Sequence, residues 1–242
     1  EANPRASRTV PLVSKVCGIR MVPLATDIIT SELTGRPSPV PGLKEREIPY
    51  YGVKEAAFPF NMFPEVDPLL GPEMRSTGEV LGISRSYGEA FYKAQEAIQS
   101  KLPLEGTVLI SVNRKDRAEA VEVARIFADN GFHIVATGNT CDTIREAGIP
   151  AEKVKKLYEG RPNIKDLITN GSIQLIINSP SGKESIHDDS YLRKAAIKSK
   201  VPYFTTIAAA KATAEGIHYV RTHEQGEVRS LQEWHSEIKE HS

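Results

Sequence analysis

The sequence has few of the residues that are typical of proteins stabilised by disulfides or structural zinc, or of proteins that span a membrane. Among its 242 residues are two cysteines, and Cys17 and Cys141 lack the CxxC or CxxH spacing of a disulfide framework or a structural zinc site. No apolar run reaches the roughly 18 residues that a membrane-spanning helix needs. The N-terminus lacks the pattern of a signal peptide. We therefore expect a protein of a reducing, cytoplasmic compartment that has no membrane partner.

The sequence also lacks an excess of either charge, since 31 Lys and Arg residues face 31 Asp and Glu residues. Binding to nucleic acid or to an anionic membrane through a broad electrostatic field needs a concentrated basic face. We therefore expect no nucleic-acid partner. Hydrophobic residues make up 40% of the chain and charged residues 26%, which is ordinary for a globular protein of one large domain or two small ones.

From about residue 104 onward, short apolar runs alternate with helical patterns. Residues 107–112 are too rich in β-branched side chains, and too few, for a helix, and they predict a buried strand. Apolar residues at three- and four-residue spacing predict a helix over 116–129 with Asp116 as its cap. Further strands are predicted over 132–136, 154–157 and 173–177, and further helices over 139–147, 164–168 and 191–199. This alternation predicts an α/β fold with a doubly wound parallel sheet.

The first hundred residues show no such alternation and contain most of the prolines. Helices are predicted over 22–34 and 86–100, with strand-like pieces between 42 and 59. We expect two domains, 1–99 and 100–242.

Polar side chains alternate with other residues at the N-terminus, where Glu1, Asn3 and Arg5 would share one face of a strand. Carboxylate and amide oxygens are ligands of the kind Mg²⁺ prefers, and an arginine beside them can take phosphate oxygens. On spacing alone, a solvated chain end explains these residues better than a metal site does.

Longer motifs resemble one enzyme family. Residues 1–11, EANPRASRTVP, resemble the metal-ligand strand of an ATP-grasp domain, specifically that of the carbamoyl phosphate synthase large chain. The segments YYGVKE at 50–55 and LLGPEMRSTGEV at 69–80 match the same family. The resemblance covers essentially the whole chain. It implies the end of the second ATP-grasp unit followed by an allosteric domain of the methylglyoxal synthase fold, which is the C-terminal part of that large chain.

The resemblance also implies an activity. The family makes carbamoyl phosphate from bicarbonate, glutamine-derived ammonia and ATP, for arginine and pyrimidine synthesis. By position, Glu1 and Asn3 would bind Mg²⁺ or Mn²⁺, while Arg5 and Arg8 would be catalytic and handle the ATP phosphates. The rest of the large chain and a glutaminase small chain would be partners. Because most of the ATP-grasp unit would lie before residue 1, we expect the isolated chain to be inactive in synthesis.

Three loops that follow predicted strands carry side chains suited to anions, namely 113–117, 137–140 and 178–183. The carboxyl ends of parallel strands meet at one sheet edge, where helix N-termini offer free N–H groups. Helix capping would explain any one of these loops alone. Three loops at one edge favour a ligand.

The family resemblance implies that this ligand is a nucleotide monophosphate of the UMP or IMP type. The matching positions are Arg117, Thr137, Thr140, Lys156 and Asn178. Pro180 stands where a hydroxyl residue helps to hold the nucleotide in the family, and it cannot hydrogen-bond through its side chain.

Activation by an ornithine-type effector is another property that the resemblance implies. Glu55 and Thr205 match positions of that site. Phe204 replaces a matched aspartate, and an aromatic ring cannot neutralise an ammonium group as a carboxylate does.

Two other functions remain as alternatives. Methylglyoxal synthase is a phosphate lyase that uses aspartates at this sheet edge, but residues 159–163 read EGRPN here. The general acid–base chemistry of that lyase needs a carboxylate in this loop, so the sequence does not favour this alternative. The second alternative is a pure interaction module, because the family's regulatory domains contribute to homo-oligomer contacts.

Overall fold

The computed structural model describes residues 7, 9–58, 75–179, 186–223, 226 and 228–241, with the backbone alone for 186–189 and 241. The strand predicted at residues 1–5 lies outside these ranges. Among the described residues, no helix combines the length and the apolar character needed to cross a membrane.

The first part of the chain is a helical pair followed by a β-hairpin and a helix. The helices are α1 (Thr9–Cys17) and α2 (Met21–Thr34), and β1 (Glu45–Glu47) comes next. Strands β2 (Tyr51–Ala57) and β3 (Gly78–Ser84) pair antiparallel, and α3 (Tyr87–Ala97) packs against them. Both helices predicted in this part are confirmed, although α3 ends at residue 97 rather than 100.

The second part is a five-stranded parallel sheet in the order β6-β5-β4-β7-β8. Its strands are β4 (Thr107–Ser111), β5 (His133–Thr137), β6 (Glu152–Val154), β7 (Leu175–Asn178) and β8 (Tyr203–Phe204). Its helices are α4 (Arg117–Asp129), α5 (Gly138–Glu146), α6 (Ile164–Thr169), α7 (Ile186–Lys198) and α8 (Ile207–Thr222). The predicted α/β fold is confirmed.

Two apolar layers form on the faces of this sheet because its central strands are apolar on both sides. One layer is contributed by α3, α4, α5 and α8, with Val108, Phe127 and Ile217 fully buried. The other lies under α6 and α7, where Leu109 and Ile176 are fully buried. Helices therefore cover both faces, as the doubly wound architecture requires.

Three local predictions differ from the structure. The strand predicted at 154–157 ends at Val154, because Lys155 forms an isolated bridge with Asn163 and residues 157–159 turn into a 3-10 helix. Helix α7 begins at Ile186, five residues before the predicted start at residue 191, so Asp188 and Asp189 lie in its first turn. Acidic residues are favourable in a first helical turn, which suits this earlier start. The strand predicted over 173–177 runs from 175 to 178.

The predicted cap residue of α4 is confirmed in its position but not in its side-chain contact. Asp116 occupies the N-cap position, but its side chain makes no cap hydrogen bond. Its Oδ2 instead accepts a 2.7 Å hydrogen bond from Nδ2 of Asn113.

The C-terminal segment returns to the first part of the chain. Helix α9 (Leu231–His235) buries Trp234 against Tyr50, with ring centroids 5.1 Å apart. Strand β9 (Lys239–His241) pairs antiparallel with β1.

Helix α3 joins the two parts of the chain. One side packs on the hairpin and another on α8, where the helices cross at Gly88 and Gly216. A Cβ atom at Gly216 would lie 2.8 Å from the carbonyl oxygen of Gly88. The division into domains at residue 100 stays a prediction.

Candidate anion-binding site

The carboxyl ends of β4 to β8 bring most of the predicted effector residues to one edge of the sheet. Arg117 opens α4 after β4, Thr137 ends β5, and Asn178 ends β7. Lys156 follows β6, and Thr140 lies in the first turn of α5. Parallel strands share this edge, so the sheet topology places all five at the same end of the domain.

The N-terminus of α5 is open toward this edge. Thr137 is the N-cap residue, but its side chain makes no cap hydrogen bond. Gly138 has a φ of 43°, a left-handed conformation that favours glycine. Apart from Gly138 itself, its two chain neighbours and the backbone of its own helix, no atom of the described residues lies within 4 Å of the position that a Cβ of Gly138 would take. The first amides of α5 can therefore donate to an anion.

The two threonine hydroxyls bind the protein itself. Thr137 Oγ1 donates to Ser111 Oγ over 2.8 Å, and Thr140 Oγ1 donates to the carbonyl oxygen of Val112 over 3.2 Å. Both threonines are 3% exposed. Because a hydroxyl has one proton, these side chains hold α5 against the end of β4, and backbone N–H groups are the free donors of this loop.

Arg117 offers the clearest unfilled donor at the edge. Its Nε is buried and has no hydrogen-bond partner within the part of the chain that the structure describes. A buried donor without a partner is costly. A phosphate oxygen would satisfy this nitrogen and its charge.

A groove lies next to Lys156, between the 157–165 segment and α7. The ammonium group of Lys156 lies 5.8 Å from the ring centroid of Tyr158, which is 71% exposed. A groove of about 470 Å³ lies next to this turn. Its lining residues come from the 157–165 segment and α7: Leu157, Gly160, Arg161, Asn163, Lys165 and Tyr191.

Asn178 and Ser179 are buried where β7 ends. The Asn178 amide donates to the hydroxyl of Tyr203 over 2.7 Å. Ser179 Oγ accepts a hydrogen bond of 3.0 Å from the backbone N–H of Asn113. Sequence reasoning gave Asn113, Ser111 and Ser179 no specific role. In the sequence, these three residues are recognisable only as polar residues at the ends of strands.

The predicted ornithine-type residues lie around α3. Glu55 on β2 accepts a 3.1 Å hydrogen bond from Gln95, and burial raises the pKa of its carboxyl above the usual value. The ring centroid of Phe204, at the end of β8, lies 6.3 Å from that of Phe91. Phe91 lies on α3, one turn before Gln95. Thr205 is exposed. The structure therefore brings Glu55 and Phe204 to one helix.

The predicted metal and ATP residues, Glu1, Asn3, Arg5 and Arg8, lie outside the described residues. Within the described ranges, no group of three or more His, Cys, Asp or Glu side chains is arranged to hold a metal ion.

The α/β part of the chain is similar to a known domain family. A family model described as an MGS-like domain matches residues 119–205, which include strands β5 to β8 of the parallel sheet. The crystal structure of methylglyoxal synthase from Elizabethkingia anophelis is 20% identical, covers 45% of this chain and 76% of that chain, and gives a TM-score of 0.38.

The carbamoyl phosphate synthase large chain of Methanothrix thermoacetophila is 45% identical over 99% of this chain and 22% of its own length. The C-terminal section of that large chain from Methanopyrus kandleri is 49% identical over 91% of this chain and 41% of its own length. The chain belongs to the carbamoyl phosphate synthase large-chain family, and it spans about a fifth of the length of the full large chain from M. thermoacetophila.

Proposed function

We propose that this chain is the C-terminal part of a carbamoyl phosphate synthase large chain and that its α/β domain is a sensor for a nucleotide monophosphate of the UMP or IMP type. The observation that carries the sensor proposal is the buried, unpartnered Nε of Arg117 at the same sheet edge as the uncapped N-terminus of α5. Both are donors, and a phosphate group is an acceptor that suits them.

Each predicted residue then has a separate task. Arg117 and Lys156 neutralise the phosphate charge, and the α5 amides donate to its oxygens. Thr137 and Thr140 fix the loop through their bonds to the end of β4. Asn178 keeps the end of β7 in place through Tyr203. The groove of about 470 Å³ beside Lys156 has the size of a small-molecule site and takes the nucleoside.

Isothermal titration calorimetry with UMP, IMP and inorganic phosphate tests the sensor. We expect Arg117→Ala or Lys156→Ala to weaken nucleotide binding by about 1–3 kcal/mol, the range for hydrogen bonds to charged groups. Lys101→Ala is the matched control, because this exposed lysine precedes β4 and belongs to the opposite edge of the sheet. Unchanged affinity in both site variants would refute the proposed site.

The catalytic role proposed for the first part concerns the whole enzyme. Transfer of a phosphoryl group from ATP to carbamate needs positioning and charge neutralisation. Glu1 and Asn3 are proposed to bind Mg²⁺ or Mn²⁺, and Arg5 and Arg8 to contact phosphate oxygens. The remainder of the large chain, a glutaminase small chain and a homo-oligomer contact through the regulatory domain complete the proposed assembly.

We expect the purified chain alone to form no carbamoyl phosphate from ATP and carbamate. The control is a complete large chain of the family assayed under the same conditions. Measurable synthesis by this chain alone would contradict the expectation.

An ornithine-type effector is proposed to contact Glu55 and Thr205. The carboxylate can pair with an ammonium group, but Phe204 adds no charge beside it. We expect weaker ornithine binding than in relatives that carry an aspartate there, and calorimetry with ornithine measures the difference.

A further inference from the structure

We propose that Asn113 and Ser179 are positioning residues that hold the β4–α4 loop so that Arg117 faces an anion. The two side chains bridge the ends of β4 and β7, and neither is proposed to contact the ligand. This inference rests on the proposed nucleotide site and names the residues that prepare it.

Asn113 organises the loop from within. Its Oδ1 accepts hydrogen bonds from the backbone N–H groups of Lys115 and Asp116, at 2.8 and 3.2 Å. Its Nδ2 donates to Asp116 Oδ2 at 2.7 Å and to Ser179 Oγ at 3.0 Å. One side chain therefore sets the path of the three residues that lead directly into Arg117.

Ser179 anchors this loop to the sheet. Its hydroxyl oxygen accepts from both the backbone N–H and the side-chain amide of Asn113, each at 3.0 Å. Its own backbone N–H donates to the carbonyl oxygen of Ser111 over 3.2 Å. Ser179 is 4% exposed, so water does not compete strongly for these bonds. The bridge thus fixes the loop relative to two central strands.

Asn113 also controls where a negative charge lies. An aspartate at an N-cap position ordinarily accepts from the first helical amides, but the amide of Asn113 binds the Asp116 carboxylate instead. Without Asn113, this carboxylate would be released beside Arg117 and the start of α4. It would then compete with a phosphate for the same donors.

Prior ordering of the loop lowers the cost of binding, because an arginine on a fixed helix start loses less conformational freedom when it engages an anion. Loss of the bridge should therefore weaken nucleotide binding only through Arg117. That dependence separates a positioning role from a direct contact and from general destabilisation.

Calorimetry with UMP, IMP and inorganic phosphate on the full chain tests the inference. We expect Asn113→Ala and Ser179→Ala to weaken binding about tenfold, because Arg117 then has to be ordered at the moment of binding. Ser179→Thr keeps the hydroxyl and should bind within about threefold of the unmodified chain. Asn170→Ala is the matched control, an exposed asparagine that follows α6.

The double variant Asn113→Ala/Arg117→Ala decides the mechanism. If Asn113 acts through Arg117, the double variant binds no more weakly than Arg117→Ala alone. Hydrogen exchange of the Lys115 and Asp116 amides should accelerate in Asn113→Ala, while exchange in β5 stays unchanged.

Additive losses in the double variant, or normal affinity in Asn113→Ala despite faster amide exchange, would overturn the positioning role and leave the nucleotide site intact. Failure of the unmodified chain to bind all three probes would instead refute the nucleotide site, and the positioning role with it.

Discussion

Replacing Thr140 with valine tests how the hydroxyl groups of the candidate anion-binding site act. Thr140 is 3% exposed, and its Oγ1 donates to the carbonyl oxygen of Val112 over 3.2 Å and accepts from the N–H of Val112 over 3.4 Å. Valine has nearly the same shape but leaves both backbone groups without this partner. A buried group that loses its partner costs about 1–3 kcal/mol.

We therefore expect Thr140→Val to lower the free energy of unfolding by about 2 kcal/mol. For a chain of this size the corresponding drop in Tm is roughly 4–8 °C. Urea denaturation followed by circular dichroism measures the difference. Thr140→Ser is the matched control, because it keeps the hydroxyl and removes one methyl group.

The variant also separates two roles that the same residue could have at the site. If Thr140 supports the loop, stability and nucleotide affinity fall together in Thr140→Val. Full stability combined with lost affinity would refute this reasoning, because the hydroxyl would then serve the ligand rather than the backbone of Val112.

Two more predictions concern the contacts between the two parts of the chain. Gly216→Ala should lower the free energy of unfolding by about 1–3 kcal/mol, measured by urea denaturation, because its Cβ would lie 2.8 Å from the Gly88 carbonyl oxygen. The control Ala208→Val, on the exposed side of α8, should lower it by less than about 1 kcal/mol. Equal losses in the two variants would contradict the close crossing of α3 and α8. Burial raises the pKa of Glu55, so its contribution to stability is complete below about pH 4.3 and is lost as the pH rises through the raised value. Glu55→Gln should consequently match the unmodified chain at low pH and exceed its stability at pH 7, in denaturation curves across that range; a less stable variant at pH 7 would show that the carboxylate is favoured in the fold.

Much of the α/β domain was predictable because its strands are continuous apolar runs, such as 107–112, and its helices carry regular apolar spacing. These patterns need no knowledge of the partner strand. The end of β6 was not predictable in this way, since the bridge between Lys155 and Asn163 stops the strand. The pairing of β9 with β1 joins residues 45–47 to residues 239–241, and nothing in either segment alone identifies the other.

The candidate site, like the fold, has features that the sequence predicts and features that it does not. The fold class, the family motifs and the loops that meet at one sheet edge follow from the sequence alone, because strand and helix periodicity and local motifs are properties of neighbouring residues. The folded structure is needed to show which polar groups already have hydrogen-bond partners within the protein. Thr140 binds Val112 across 28 residues and Asn113 binds Ser179 across 66, while the Nε of Arg117 has no described partner. Hydrogen bonds between distant segments depend on how the strands stack, so the free donors of the site emerge only when the sheet has formed.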